Sequence, residues 1–243
     1  RLYSGVNLEN NINLTDYGTY IARQLDLALE AQYQRRMREV FRPHKQIHIP
    51  EVYTSGPDYI VMEYVEGMKY NDFITVYPEH TMECISLIYC SLYRMIQEGC
   101  IHGDMHFGNF TYFLGYSGEV HMNIMDYGIM LDISPIQLRI LQKAFNIIED
   151  KQTRIELFID FISTIDPGLT EHLSKVSKVD LMRGHHTFDE IMDMCKNVQL
   201  PMPFVSFFTT LQTFYNLIQF KSKDELTDII CYMIEHDFVD FDV

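Results

Sequence analysis

One stretch of the sequence, residues 101 to 128, constrains the fold more than any other. It begins with IHGDMHFGNF and ends with IMDYG. Between these segments, two apolar runs at 110 to 114 and 120 to 125 flank Gly-Tyr-Ser-Gly, a pattern typical of a β-hairpin with a four-residue turn. We therefore expect a loop, a hairpin and a second loop in succession, with polar residues at the same end of the hairpin.

Those polar residues have the chemistry of a phosphoryl-transfer site. Transfer from ATP needs a carboxylate that orients the nucleophile and accepts its proton, and it needs oxygen ligands that hold Mg²⁺ on the phosphates. The five-residue step from Asp104 to Asn109 lets a tight loop aim both side chains into one cleft. The hairpin then returns Asp126 beside them, and Gly128 is expected to allow the sharp turn that presents it.

Two other interpretations of these residues stay open. Asp and Asn at loop ends also act as turn and cap residues that hydrogen-bond to the backbone. The His-x-Asp-x-His spacing from His102 to His106 is compatible with a metal-dependent hydrolase, although the sequence shows no third cluster of ligands. We interpret His102 as a structural residue that bonds to backbone near the loop, and His106 as a residue that lines the cleft.

The rest of the chain combines helical patterns with one more hairpin. Apolar residues at helical spacing predict a long helix at about 15 to 40 and another at 81 to 97. Residues 51 to 65 predict a hairpin around a Ser-Gly-Pro-Asp turn. After residue 128 we expect no strands, but a helix opened by Ser-Pro at 134 and further helices at 152 to 164, 187 to 198, 203 to 220 and 223 to 236. The expected fold is α+β and mostly helical.

Charge and cysteine content narrow the classes of partner and compartment. Asp and Glu outnumber Lys and Arg by 34 to 19, so a nucleic-acid backbone would meet a repulsive field. No apolar run approaches the roughly 18 residues that suggest a membrane span. We therefore expect no nucleic-acid partner and no membrane span in this chain. We also expect a reducing intracellular compartment, because no two of the five cysteines form a close pair. They are Cys84, Cys90, Cys100, Cys195 and Cys231.

Three segments carry a resemblance to a known family. HGDMHFGN from position 102, followed by MDYG from position 125, resembles the catalytic loop and metal-binding Asp-Phe-Gly of protein-kinase-like enzymes. Within that superfamily the loop is similar to the HADPHPGN-type loop of the UbiB/ADCK atypical kinases. QLDLALEA at 24 to 31 resembles the signature helix of that family, and IVMEYVEG at 60 to 67 resembles a kinase hinge.

The resemblance implies an ATP-binding and Mg²⁺-binding kinase or ATPase. Asp104 would be the catalytic carboxylate, and Asn109 and Asp126 the magnesium ligands. Glu30 would be the helix glutamate that pairs with an ATP-binding lysine. By the same resemblance we expect a role in ubiquinone or other isoprenoid-lipid metabolism, an isoprenoid lipid or lipid-biosynthesis proteins as partners, and a mitochondrial or membrane-associated location.

The resemblance also implies a nucleotide-binding hinge and a division of the chain. Met62 would be the gatekeeper, with the backbone of Glu63 and Val65 facing adenine. Residues 1 to 64 would be the remnant of an N-lobe, comprising a long helix and a hairpin. Residues 65 to 243 would form a protein-kinase-like, mostly helical C-lobe with small β-hairpins.

The chain departs from the family pattern at several positions. It has no Gly-rich nucleotide loop and its first lysine is Lys45, so we expect an incomplete N-lobe that begins after the phosphate-contacting lysine. Gln24 stands where the family has Glu. Met105 and Phe107 replace prolines of the loop, and Tyr127 replaces Phe.

Two alternative functions stay open. A small-molecule phosphotransferase of the aminoglycoside or choline kinase type shares the HGD-x-H-x-x-N loop, but the Asp26 to Glu30 helix segment favours the UbiB type. A pseudokinase scaffold is favoured by the missing lysine. The intact set of Asp104, Asn109 and Asp126 argues against it.

Overall fold

The computed structural model describes residues 24–144 and 223–238, together with residues 18, 22, 160, 161, 163 and 164. The helices expected at 187 to 198 and 203 to 220 lie outside the described residues, as do most of the helix expected at 152 to 164 and Cys195. Within the described residues the chain has mixed α and β content with three small sheets. The expectation of an α+β fold is therefore confirmed.

The first helix, α1, spans Leu27–Phe41, and its start is set by Asp26. The Asp26 carboxylate accepts hydrogen bonds from the backbone N–H groups of Ala28 and Leu29, both at 3.1 Å, and so caps the helix. The prediction of one unbroken helix from 15 to 40 is wrong here, because Asp26 has non-helical backbone (φ −86°, ψ 87°). A cap interrupts apolar periodicity for only one or two residues, which the spacing pattern does not register.

Three short strands follow α1. They are β1 (Ile47–His48), β2 (Val52–Gly56) and β3 (Tyr59–Met62). Strands β2 and β3 pair antiparallel, as the sequence predicted for residues 51 to 65. The carbonyl of Pro57 in the turn accepts the backbone N–H of Leu27 at 3.1 Å. The turn of the hairpin is thereby joined to the first residue of α1.

Two helices separate this hairpin from the segment at 101 to 128 that carries Asp104, Asn109 and Asp126. Helix α2 spans Tyr70–Val76, a single 3₁₀ turn spans Pro78–His80, and helix α3 spans Thr81–Gln97, which confirms the helix predicted at 81 to 97. After α3 the chain reverses at Gly99, whose φ of +64° glycine adopts without strain.

Four strands then flank the loops that carry Asp104, Asn109 and Asp126. They are β4 (Cys100–His102), β5 (Phe110–Leu114), β6 (Val120–Ile124) and β7 (Met130–Asp132). Strands β5 and β6 form the predicted hairpin, β1 adds to β6 in parallel, and β4 pairs antiparallel with β7. The expectation of no strands after residue 128 is wrong at β7, and β4 was not predicted either, because three residues are too few to display an alternating pattern.

Two further helices are described, α4 (Pro135–Ala144) and α5 (Lys223–Glu235). The Ser134 hydroxyl accepts the Gln137 backbone N–H at 3.4 Å, which agrees with the predicted helix start at 134. Among the described residues no helix has the length and apolar character needed to span a bilayer.

Helix α3 lies at the centre of the core. Its buried residues belong to one continuous apolar cluster that also includes buried residues of α1, the β5–β6 hairpin and α5. Cys84, Cys90 and Cys100 are buried there as free thiols, and burial raises the pKa of Cys84 and Cys100 to about 12. A thiol with a raised pKa is a poor nucleophile, so these cysteines are packing residues, as expected.

A buried polar contact joins the segment after β3 to the β5–β6 hairpin. The Asn123 side-chain amide donates to the Glu66 carbonyl at 3.0 Å and to the Thr111 hydroxyl at 2.9 Å. Asn123 and Thr111 are both buried. The backbone at Gly67 comes so close that a Cβ atom there would lie 2.7 Å from Thr111 Oγ1. Asn123 and Gly67 together hold the segment at 63 to 67 tightly on the hairpin.

Replacing Asn123 by Leu is expected to lower the free energy of unfolding by about 1–3 kcal/mol, because it leaves the buried Thr111 hydroxyl without its donor. Urea denaturation measures this change. Asn71→Leu, at an exposed position of α2, is the matched control and should stay within about 0.5 kcal/mol of wild type. Equal midpoints for the two variants would contradict a structural role for Asn123.

Candidate functional site

The structure brings Asp104, Asn109 and Asp126 to one end of the β5–β6 hairpin. Asp104 follows β4, Asn109 immediately precedes β5, and Asp126 follows β6 by two residues. The backbone N–H of Met125 donates to the Asn109 carbonyl at 3.0 Å, which continues the hairpin ladder past its last strand pair. This bond holds the two loops together at the end of the hairpin.

Asp104 is held by its backbone and presents its carboxylate to solvent. Its N–H donates to His102 Nδ1 at 3.1 Å, and its carbonyl accepts from Asn109 Nδ2 at 2.9 Å. The side chain of Asp104 is 42% exposed, whereas Asn109 is buried. Because the Asn109 amide nitrogen is the donor in this contact, its amide oxygen is the atom that can bind a cation.

His102 is a structural residue that links the two loops. It is completely buried, its Nδ1 accepts the Asp104 N–H, and its Nε2 lies 3.5 Å from the Met125 carbonyl. Since Nδ1 is an acceptor, the proton is on Nε2. Burial lowers the pKa of His102, which keeps the ring neutral at neutral pH. This agrees with the structural interpretation made from the sequence.

His106 lies beside Asp104. Its Nδ1 accepts the Gly108 backbone N–H at 3.0 Å, and its Nε2 lies 3.5 Å from Asp104 Oδ2. A Cβ atom at position 108 would lie 2.6 Å from the imidazole ring, so a larger residue there would displace His106 from this position. In the part of the chain that the structure describes, no three His, Cys, Asp or Glu side chains are grouped as a metal site.

Asp126 itself adopts the left-handed backbone that its loop requires. Its φ is +64°, and its Oδ1 accepts the Gly128 N–H at 3.2 Å. The expectation that Gly128 provides this turn is therefore wrong. A Cβ atom at Gly128 would make only ordinary contacts, 3.4 Å from Asp126 Oδ1 and 3.7 Å from Glu30 Oε2. The Asp126 carboxylate is exposed.

Glu30 reaches this loop from the first turn of α1. Its Oε1 accepts the Tyr127 backbone N–H at 3.3 Å. Partial burial and the neighbouring charge of Asp126 raise the pKa of Glu30, although the Tyr127 hydrogen bond acts in the opposite direction. No salt bridge of Glu30 occurs among the described residues. The site thus holds two neighbouring carboxylates whose charges would be balanced by a cation.

The proposed hinge residues lie at the end of β3 and just after it. Glu63 is fixed to the start of β2, since its N–H donates to the Glu51 carbonyl at 2.8 Å and its carboxylate accepts the Glu51 N–H at 3.0 Å. Met62 is 39% exposed and Val65 is partly buried. Gln34, one helical turn after Glu30, donates to Met62 Sδ at 3.5 Å and to the Pro50 carbonyl at 2.8 Å.

Sequence reasoning did not identify Gln34 as part of the site. It is a polar residue on the buried face of α1, and only 1% of its surface is exposed. A glutamine among the apolar positions of an amphipathic helix was the available signal, because a buried amide needs partners.

The residues that replace the loop prolines anchor the loop by packing. Met105 is buried, and Phe107 stacks on Tyr70 with ring centroids 4.0 Å apart. Tyr127 is buried beneath the second loop, and its hydroxyl donates to the Ile124 carbonyl at 3.2 Å. Lys69 Nζ adds a hydrogen bond to the Gly108 carbonyl. These contacts restrict the loop in a way that differs from the ring restraint of proline.

Comparison with known proteins gives one family. A model of the ABC1 atypical kinase-like domain matches residues 6–157. An uncharacterized aarF domain-containing chloroplastic protein kinase of Arabidopsis thaliana is 30% identical over 122 residues, which are 49% of this chain and 16% of that protein. A probable protein kinase UbiB of Shewanella sp. (strain MR-4) is 26% identical over 152 residues, which are 59% of this chain and 27% of that protein.

This chain therefore spans only a minor part of the length of these relatives. Among solved structures, the Rv3197–erythromycin complex from Mycobacterium tuberculosis is similar, with 26% identity and a TM-score of 0.40. The match covers 60% of this chain and 38% of that one.

Replacing Glu30 by Gln is expected to stabilise the ligand-free protein at neutral pH. A glutamine still accepts the Tyr127 N–H but removes the charge beside Asp126. Because the pKa of Glu30 is raised by folding, wild-type stability falls as pH rises from the ordinary value of 4.5 through the raised one, and it stays lower above that window. We expect a gain of roughly 0.5–1 kcal/mol in the free energy of unfolding, the scale of a partly exposed charge contact.

Chemical denaturation at several pH values measures this gain, which should shrink as the pH approaches 4.5. Glu39→Gln is the control, since Glu39 is an exposed α1 carboxylate that pairs with Arg42 instead of facing another acid. A destabilised Glu30→Gln protein at neutral pH would refute the explanation.

Proposed function

Because the chain belongs to the ABC1 atypical kinase-like family, we propose that it binds ATP with Mg²⁺ and transfers or hydrolyses the terminal phosphoryl group. The observation that carries this proposal is the meeting of Asp104, Asn109 and Asp126 on two loops joined by the Met125–Asn109 backbone bond. Carboxylate and amide oxygens at one cleft form the donor set that suits Mg²⁺.

Each of these residues has one role in the proposal. Asn109 and Asp126 hold Mg²⁺, which would neutralise the charge of the phosphates when bound. Asp104 orients the attacking hydroxyl or water and accepts its proton. The exposure of the Asp104 carboxylate and the backbone bonds on both sides of it support this role, since the group is accessible and held in place.

Glu30 is proposed to pair with a cationic side chain of the nucleotide site, as the helix glutamate of the family does. Its raised pKa supports this role, because a carboxylate next to Asp126 gains more from a nearby cation than an isolated one. The same cation would relieve the repulsion between the two acids.

Adenine is proposed to bind along the hinge, with Met62 as gatekeeper. Because the Glu63 N–H already donates to the Glu51 carbonyl, we assign the Glu63 carbonyl to the adenine amino group and the Val65 N–H to a ring nitrogen. The Asn123 hydrogen bond to the Glu66 carbonyl and the close approach of Gly67 to Thr111 support this assignment, since they fix the segment that follows Val65. We accordingly divide the chain at the hinge, with residues 1 to 64 on the N-lobe side and 65 to 243 in the C-lobe.

For the biological role we propose ubiquinone or other isoprenoid-lipid metabolism, in a reducing intracellular compartment. The support is the resemblance of the 102 to 109 loop to the UbiB type and the name of the Shewanella relative, a probable protein kinase UbiB. The buried free thiols agree with a reducing compartment.

Removing the Asp126 carboxylate is expected to abolish magnesium-dependent ATP binding. Thermal unfolding of the longest natural form of the protein, with ATP and with or without Mg²⁺, measures this. At ten times the dissociation constant, wild type should gain about 1.4 kcal/mol of stability, and Asp126→Ala should gain none. Asp104→Asn should keep the gain but lose about 100-fold or more in turnover.

Asp228→Ala is the matched control, because Asp228 is an exposed carboxylate on α5 and should leave binding unchanged. A magnesium-dependent gain that persists in Asp126→Ala would refute the assignment. No gain in the folded wild type would instead favour a pseudokinase scaffold.

A further inference from the structure

Helix α1 contacts the chain after Asp126 at two separate places. The first is the hydrogen bond from the Tyr127 N–H to Glu30 Oε1. The second is Asp132, at the end of β7, whose carboxylate faces Tyr33 and Arg36. Positions 30, 33 and 36 are spaced by three residues and therefore follow one side of the helix.

Asp132 makes short hydrogen bonds to two side chains of α1. Asp132 Oδ1 accepts from Arg36 Nη1 at 2.7 Å, and Oδ2 accepts from the Tyr33 hydroxyl at 2.7 Å. Arg36 Nη2 also donates to the Glu98 carbonyl at 3.1 Å, so it binds the end of α3 as well. Although partial burial opposes it, the hydrogen bonds from Tyr33 and Arg36 hold the pKa of Asp132 below its ordinary value. The carboxylate is thus ionised and fully engaged.

Asp132 belongs to the strand pair that carries both functional loops. In the β4–β7 ribbon it lies opposite Cys100, while Met130 lies opposite His102. Strand β4 runs directly into the Asp104 loop, and β7 follows the Asp126 loop. The Gly103 N–H also donates to the Ile129 carbonyl at 2.7 Å, which extends the ribbon to the loops themselves. Asp132 is therefore connected to both loops through the backbone pairing of β4 and β7.

We propose that Asp132 is a positioning residue: by binding Tyr33 and Arg36 it fixes α1 against the β4–β7 ribbon and sets the placement of Glu30 relative to Asp126. The inference rests on the proposed function, which assigns Glu30 and Asp126 to the nucleotide site. The Arg36 and Asp132 side chains are 44% and 56% exposed, so their ion pair contributes little to global stability. We expect the ion pair to affect the placement of Glu30 and Asp126 instead.

Hydrogen exchange of the Tyr127 amide tests the placement without any nucleotide. Asp132→Ala should make this amide exchange about tenfold faster, because the Glu30 acceptor is no longer held against it. Glu39→Ala is the matched control, an exposed α1 carboxylate whose arginine partner, Arg42, is on the same side of the chain and not on the ribbon. Equal exchange in the two variants would overturn the proposal.

A double-mutant cycle with Glu30 tests the consequence for the site. Asp132→Ala should weaken Mg-ATP binding about tenfold in wild type and less than about twofold in a Glu30→Gln background, because coupled residues are not additive. An equal loss in both backgrounds would mean a merely structural role and would overturn the proposal. Absence of Mg-ATP binding in wild type would refute the proposed function, and the exchange experiment would then decide the placement by itself.

Two milder variants keep the test decisive where Asp132→Ala does not fold. Tyr33→Phe removes one hydroxyl, and Asp132→Asn keeps the shape of the side chain while removing its charge. Each should accelerate Tyr127 exchange in the same direction by a smaller factor. Neither variant doing so would overturn the proposal.

Discussion

The candidate site depends on the hydrogen bonds of one buried imidazole. His102 accepts a hydrogen bond from the backbone of Asp104 and faces the Met125 carbonyl beside Asp126. It is fully buried, and its pKa is lowered by that burial. A neutral ring has one donor and one acceptor, so it can bridge two backbone groups of opposite kind. A charged ring has two donors, and it would lose the contact with Asp104.

The sequence predicted the parts of the fold whose patterns are long or local. The hairpin at 110 to 125 and the helix at 81 to 97 formed as expected, because a turn sequence or four helical turns each leave a clear pattern. Strands β4 and β7 were missed, since three residues display no period and their pairing joins positions about 30 apart. The break at Asp26 was missed because a cap depends on one side chain, which apolar spacing does not record.

The same division applies to the candidate site. The hairpin brings the loops of Asp104, Asn109 and Asp126 to one end, which local patterns predict, while the roles of these residues stay a prediction. Gln34 and Asp132 were not found, because each acts through partners that are distant in sequence: Met62 and Pro50 for Gln34, and Tyr33 and Arg36 for Asp132. Such contacts become visible only when the helix is placed on the sheet.

The left-handed backbone of Asp126 gives the two oxygens of its carboxylate different roles. A non-glycine residue with positive φ is strained, and aspartate tolerates the strain because its short side chain can hydrogen-bond nearby backbone. Here Oδ1 does so by accepting the Gly128 N–H. Because a carboxylate has a second oxygen, this bond leaves Oδ2 for a ligand. Under the proposed function, a cation held by Oδ2 would leave the loop's own hydrogen bond intact.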